Sequence, residues 1–137
     1  MNDVLIDKNG FILDPKIPRY EKLKIYSTDE KKIGNWVDGK PLYRKVFIVT
    51  DQNNISFDIS SLNMDTCCKF ECIIDYISTS NYRYQRPIYY MDNSEYFTAF
   101  LRDNTIQTRI STYMSSMIAT FNKITYVLKY TKTTDSI

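Results

Sequence analysis

Hydrophobic and polar residues alternate with period two along most of this 137-residue chain. Ile55, Phe57 and Ile59 are separated by Ser56 and Asp58, and Cys68, Phe70, Cys72, Ile74 and Tyr76 stand opposite Lys69, Glu71 and Asp75. Successive strand side chains point to opposite faces, so each run predicts a strand with one buried and one wet face. Ile124, Tyr126, Leu128 and Tyr130 repeat the pattern against Lys123, Thr125, Lys129 and Thr131, with Val127 the apolar exception. Between Arg44 and Thr50, Val46 and Ile48 lie on one side and Tyr43, Phe47 and Val49 on the other, the pattern of a strand buried on both faces. Phe97, Ala99 and Leu101 are in register within residues 95–102, and Asp103-Asn104 predicts a tight turn into an antiparallel partner over 105–110. Ile88 to Met91 reads as extended, whereas Ser78 to Arg86 reads as polar and turn-like before Pro87.

Turn chemistry punctuates these runs. Asp38-Gly39 predicts a two-residue type I′ hairpin turn between Trp36-Val37 and a strand over 42–47. Ser27-Thr28-Asp29-Glu30 has capping-box form, but Gly34 follows within a turn and no apolar helical face develops, so it reads as a polar turn. Asn9-Gly10 between apolar triplets predicts a small ribbon within residues 1–25, followed by Pro15 and Pro18 as a connection or edge. That ribbon reads equally as a docking arm and as two more strands of the body, which spans 26–137. Met114, Met117, Ile118 and Phe121 have helical spacing, but no cap stands out and the segment reads as a loop entering a strand. Many short strands between turns, with no firm helix, predict an all-β antiparallel sandwich of jelly-roll or Greek-key type.

Composition narrows the function. At 43% apolar and 25% charged residues the chain is not disordered, and its length allows it to bury roughly 68% of its unfolded surface without metal or disulfides. Twelve tyrosines favour strands and contact surfaces, and the lack of histidine removes the commonest general base and metal ligand. A net charge of +2, with no basic stripe, argues against nucleic acid. The first residues lack a signal-peptide pattern and no stretch matches a membrane span, so folding in the cytoplasm, without membrane insertion, is expected.

Candidate chemistry is sparse. Cys67, Cys68 and Cys72 have no second ligand pair for zinc and read as buried free thiols; no metal or cofactor is expected. Glycan cleavage needs two carboxylates about 5–9 Å apart. Glu71 and Asp75, four residues apart on one strand, are separated by roughly 13 Å. Asp58 or Asp92 could approach one of them, but ion pairs with Lys69 or Lys45 account for the same charges, and no catalytic residue is assigned. The segment from Asn81 to Tyr90 interleaves tyrosine with arginine, as contact surfaces for sugars or protein loops do. Tyr82, Arg83, Tyr84, Arg86, Tyr89 and Tyr90 are therefore the candidate contacts with a receptor or partner. The reading in which these rings pad a seam between two sheets or between subunits is slightly favoured over a receptor contact. Trp36 reads as a hairpin packing residue, and Tyr113 could serve either use.

The run Tyr26-Ser27-Thr28-Asp29-Glu30, then Gly34, Trp36 and Asp38-Gly39-Lys40-Pro41-Leu42-Tyr43-Arg44-Lys45, closed by Lys129-Tyr130-Thr131-Lys132-Thr133-Thr134-Asp135, resembles a small domain of bacteriophage tail-fibre and head-fibre proteins. The resemblance covers residues 26–135. It implies a β-rich virion structural protein, at or near the distal end of a fibre, assembling as a homotrimer and adhering to a bacterial surface glycan or protein. It implies no catalytic residue. A chain with only a short segment ahead of this domain also fits a decoration or adaptor subunit on capsid or tail, with residues 1–25 as its anchor to other virion proteins.

Overall fold

Ile124, Tyr126, Leu128 and Tyr130 are all fully buried, and the strand that carries them is paired on both sides. The computed structural model describes residues 28–52 and 55–137. The expected ribbon at Asn9-Gly10 and the 1–25 arm lie outside the described residues.

Among the described residues nine strands form two antiparallel sheets, so the expected all-β sandwich is the fold observed. The strands are β1 (Lys31–Asn35), β2 (Pro41–Val49), β3 (Ser56–Asp58), β4 (Met64–Ser78), β5 (Arg83–Pro87), β6 (Tyr89–Tyr90), β7 (Tyr96–Arg102), β8 (Thr105–Ile110) and β9 (Ile118–Lys132). One sheet has the order β1-β2-β9-β4-β5 and the other β3-β8-β7-β6. The nested pairs β2 with β9 and β3 with β8 roll the chain so that its last strand sits centrally in the larger sheet.

Alternation explains the core. Tyr43, Phe47 and Val49 of β2 pair with Tyr130, Tyr126 and Ile124, and Phe70, Cys72 and Ile74 of β4 pair with Leu128, Tyr126 and Ile124, all on the face turned to the second sheet. Phe97 and Ile106 meet them from β7 and β8. Each such burial stabilises by about 1.5–3 kcal/mol against about 0–1 for an exposed ion pair, so packing rather than surface charge holds the frame. Phe57 of β3 lies 5.2 Å from both Phe47 and Tyr126, and the Tyr126 hydroxyl shares a 2.6 Å hydrogen bond with Thr108 of β8. Aromatic contact and hydrogen bond together tie the two sheets at one residue.

A second network closes the β2 end. Tyr130 donates to Glu30, whose other carboxylate oxygen accepts from Lys132 at 2.7 Å, and the Lys132 ammonium lies 4.6 Å from the Tyr43 ring centre. Burial works against ionisation of Glu30, yet the Lys132 and Tyr130 hydrogen bonds hold its carboxyl below the ordinary range. Asn63 accepts from the Thr133 amide at 2.8 Å, so the polar tail is also fastened to the body.

Several expectations need correction. The strand expected before the first turn lies earlier, at Lys31–Asn35, and the turn is not a two-residue I′ type. Gly39 donates to the Trp36 carbonyl and Trp36 to the Lys40 carbonyl, so Val37, Asp38 and Gly39 form a three-residue loop in which only Gly39 has positive φ, +88°. The I′ geometry occurs instead at Asp103-Asn104, with φ of 48° and 63°, joining β7 to β8 as expected. Residues 83–87 are a strand rather than turn, because Asn81 takes the left-handed position (φ 67°) that a short hairpin loop needs. Residues 112–117 are a short helix, α1 (Thr112–Met117), whose cap is Ser111: its hydroxyl accepts from the Met114 amide and buries Met114 beneath. Ile48 and Cys67 are exposed, against the expected two-sided burial of β2 and burial of all three thiols. Asp75, read as lying on a wet face, is 2% exposed.

Replacing Gly39 with alanine forces a side chain into left-handed backbone, where its Cβ also comes within 2.8 Å of the Ile137 methyl. Ile137 is exposed and yields, so the backbone cost dominates. Gly39→Ala is expected to lower unfolding free energy by about 1–2 kcal/mol in urea titration, and adding Ile137→Ala is expected not to restore it.

Candidate functional site

The Tyr82–Tyr90 segment follows a hairpin built like the first one. Ser78 donates to the Tyr82 carbonyl and Asn81 to the Ser78 carbonyl, while the buried Ser78 hydroxyl accepts from the Ser80 and Tyr82 amides at 3.2 Å. Thr79 donates to the Met117 carbonyl at 2.9 Å, which fixes the turn against the end of α1. From this pinned turn β5 runs back along β4 in the register Ile77 with Arg83, Tyr76 with Tyr84 and Ile74 with Arg86.

That register sorts the candidates by face. Tyr82, Tyr84 and Arg86 alternate onto one side, and the chain then crosses at Pro87-Ile88 to bring Tyr89 of the second sheet beside them. The Tyr82 and Tyr84 rings are 6.4 Å apart, and the Arg86 guanidinium lies 5.0 Å from the Tyr84 ring and 4.9 Å from the Tyr89 ring. The result is a ladder of three tyrosines around one arginine, in which each cation–ring contact contributes about 0.5–2 kcal/mol. Tyr84 leans inward on the fully buried Tyr76 at 5.5 Å, and Tyr82 projects outward with 64% of its surface exposed. The Tyr76 hydroxyl beneath has no hydrogen-bond partner of normal geometry.

Arg83 and Tyr90 stand apart from the ladder. Arg83 faces the opposite side of β5, where its Nε and Nη2 donate to Asp75 at 3.2 and 2.9 Å, and Asn122 adds a third hydrogen bond at 3.2 Å. These donors, Arg83 foremost, hold the Asp75 carboxyl below its ordinary range despite burial. Tyr90 stacks on Tyr96 at 5.8 Å and donates to Asn93, leaving 60% of its surface exposed. Thus four of the six candidates come together, and two occupy neighbouring positions on either side.

Among the described residues both strands here are sheet edges: β5 pairs only with β4, and β6 only with β7. A cleft of about 260 Å³ opens where Arg86, Pro87 and Tyr89 meet. Glu95 was missed by the sequence reading. It accepts from the Tyr89 hydroxyl at 3.3 Å and lies 3.9 Å from Arg86, so it balances the ladder's charge. The signal was present in Asp92-Asn93-Ser94, whose aspartate accepts from the Ser94 and Glu95 amides and sets the direction of Glu95.

The carboxylates considered for hydrolysis have local partners. Glu71 pairs with Lys69 at 3.5 Å, Asp58 accepts from Ser60 at 2.7 Å, and Asp92 is held low in pKa by the Ser94 hydroxyl and by backbone amides. Cys72 is buried and its thiol is pushed up to about 12, which leaves little thiolate. Among the described residues no three of His, Cys, Asp or Glu gather as a metal site, and no helix is long and apolar enough to cross a membrane. No protein-family model, curated protein or solved structure matches the chain.

Asp75→Asn tests the fastening of this edge. Because the folded carboxyl titrates below its ordinary 3.8, its contribution is complete above that value and fades as pH falls through it toward the lower folded value. The exposed Arg83 regains water when its partner is lost, so the variant is expected to lose about 1–3 kcal/mol near pH 7 and less near pH 3, read by urea unfolding at both.

Proposed function

We propose that this chain is a bacteriophage virion structural protein, a fibre, fibre-tip or decoration subunit that attaches to the bacterial surface through its Tyr82–Tyr90 edge. The observation that carries this reading is the tyrosine–arginine ladder on sheet edges with no second partner strand among the described residues, rigid at its base on Tyr76 and open at Tyr82, with Tyr90 exposed beside it. Rings held in this way lose little entropy when they contact a ligand, and tyrosine with arginine dominates binding hot spots. The resemblance to phage fibre domains points the same way. The described parts of the stretches that carry it meet, with Glu30 on Tyr130 and Lys132, and Tyr43 opposite Tyr130.

A second reading, a purely architectural capsid or tail adaptor, is favoured by the outer face of the larger sheet. Ile48, Thr125, Ile73 and Pro87 form one row across β2, β9, β4 and β5, and Ile48 and Ile73 are 47% and 44% exposed. In a homotrimer such a row would lie at the subunit seam.

Tyr82→Ala and Tyr90→Ala are expected to weaken attachment to a binding bacterial strain by about tenfold each, with unfolding temperature unchanged. Attachment that survives both replacements would remove the edge as the contact surface. Mass in solution separates the readings further: a trimer dispersed by Ile73→Ser, with attachment indifferent to the tyrosines, supports the architectural one.

A further inference from the structure

A second concavity lies on the other side of Tyr90, between the Asp92–Glu95 turn and α1. Its volume is about 530 Å³, within the range of about 300–1,000 Å³ typical of small-molecule clefts. Among the described residues, every side chain lining it is an alcohol, an amide or a phenol. Asn93 and Ser94 come from the turn, Tyr96 from β7, and Thr112, Tyr113 and Ser116 from α1 and its start, with the buried Ser111 behind. None of these is charged.

The lining groups are already held in place. Asn93 accepts from the Tyr90 phenol through its carbonyl oxygen, which turns its amide donors elsewhere. Ser94 donates to Asp92 at 2.7 Å and Ser116 donates to the Tyr113 carbonyl at 2.6 Å, so both hydroxyl oxygens keep acceptor capacity. Ser111, 3% exposed, accepts from the Tyr96 and Met114 amides and keeps its own proton to donate. The Tyr113 ring is 52% exposed at the rim. Asp92, the nearby acid, is occupied by the turn amides, and Glu95 faces Tyr89 and Arg86.

We infer that this cleft between Ser94, Tyr96, Tyr113 and Ser116 binds a neutral saccharide of about one or two rings. A sugar presents an apolar C–H face that stacks on an aromatic ring and a rim of hydroxyls that both donate and accept. The cleft offers both kinds of group, while the lack of charge among its described lining residues gives an acidic or basic ligand no counter-ion there. Fixed donors and acceptors reduce the ordering cost that makes sugar binding weak. The site is separate from the Tyr82–Arg86 ladder and stands whether or not the chain belongs to a virion.

The test is a titration of the full chain, labelled with ¹⁵N and followed by amide chemical shifts. The probes are glucose, galactose, mannose, rhamnose, N-acetylglucosamine, maltose and lactose, each to about 50 mM, with glucuronic acid as the charged comparison. At least one neutral sugar is expected to shift Asn93, Ser94, Tyr113 and Ser116 saturably. Tyr113→Ala is expected to weaken that binding at least about tenfold with the remaining spectrum intact, and Tyr82→Ala is expected to leave it unchanged. The inference is overturned by unsaturated or absent shifts with every neutral sugar, by shifts centred on residues 82–89, by stronger response to glucuronic acid, or by binding that survives both Tyr113→Ala and Ser116→Ala. Sugar binding without bacterial attachment would count against the adhesion reading alone. Attachment that needs Tyr82 without sugar binding would count against the cleft alone.

Discussion

The hydrogen bond between Tyr126 and Thr108 is the constraint on which the two-sheet arrangement depends. A tyrosine at the centre of a core brings a large apolar ring and a hydroxyl that must find a partner, because an unsatisfied buried polar group costs about 1–3 kcal/mol. Burial pushes the Tyr126 phenol up to about 12, so it stays protonated and able to bond. Thr108 sits on the facing sheet, and the pair therefore specifies which residue of β8 lies over which residue of β9. Hydrophobic contact alone would tolerate sliding. Tyr130 applies the same logic two pleat repeats further along β9, where Glu30 serves as its acceptor and thereby anchors the start of the described chain to its last strand.

Central placement of β9 has consequences at the periphery. With β2 and β4 both bonded to it, the larger sheet ends, among the described residues, at β1 and β5. Lys31, Lys32 and a bulge between Lys32 and Gly34 make β1 a poor template for further pairing. The β5 edge is managed differently: Pro87 removes a donor, and Arg83 and Arg86 are drawn into local contacts with Asp75 and the tyrosine ladder. The same residues that protect this edge from pairing give it an aromatic, cationic surface. The proposed contact surface and the structural defence of the edge are one set of side chains.

Much of the fold was legible because period-two alternation is strong where one face is buried, as in Cys68 to Tyr76 and Ile124 to Tyr130. What was lost depended on single residues with unusual backbone roles. Asn81 occupies a position more often held by glycine, so the hairpin into β5 read as a polar loop. Ser111 is a good helix cap, but the apolar spacing behind it continues from α1 into β9 and blurred the boundary at Ile118. Asp75 looked solvent-facing by alternation, and only the cross-strand approach of Arg83 and the bulged Asn122 makes its burial tolerable. Tyrosine count was the deepest ambiguity. The sequence could not divide rings between core and surface, and the structure places Tyr76, Tyr126 and Tyr130 inside while leaving Tyr82, Tyr90 and Tyr113 out. The four-residue ladder was visible as composition, but the separation of Arg83 and Tyr90 from it followed from register alone.

Native-state amide hydrogen exchange tests the central claim most directly. If the sheets are locked together through the tyrosines of β9, amides of Tyr126 and Leu128 and those of Ile106 and Thr108 should exchange only through global unfolding, with the same denaturant dependence. Exchange of the β7–β8 pair through a separate, cheaper opening while β9 remains protected would contradict it.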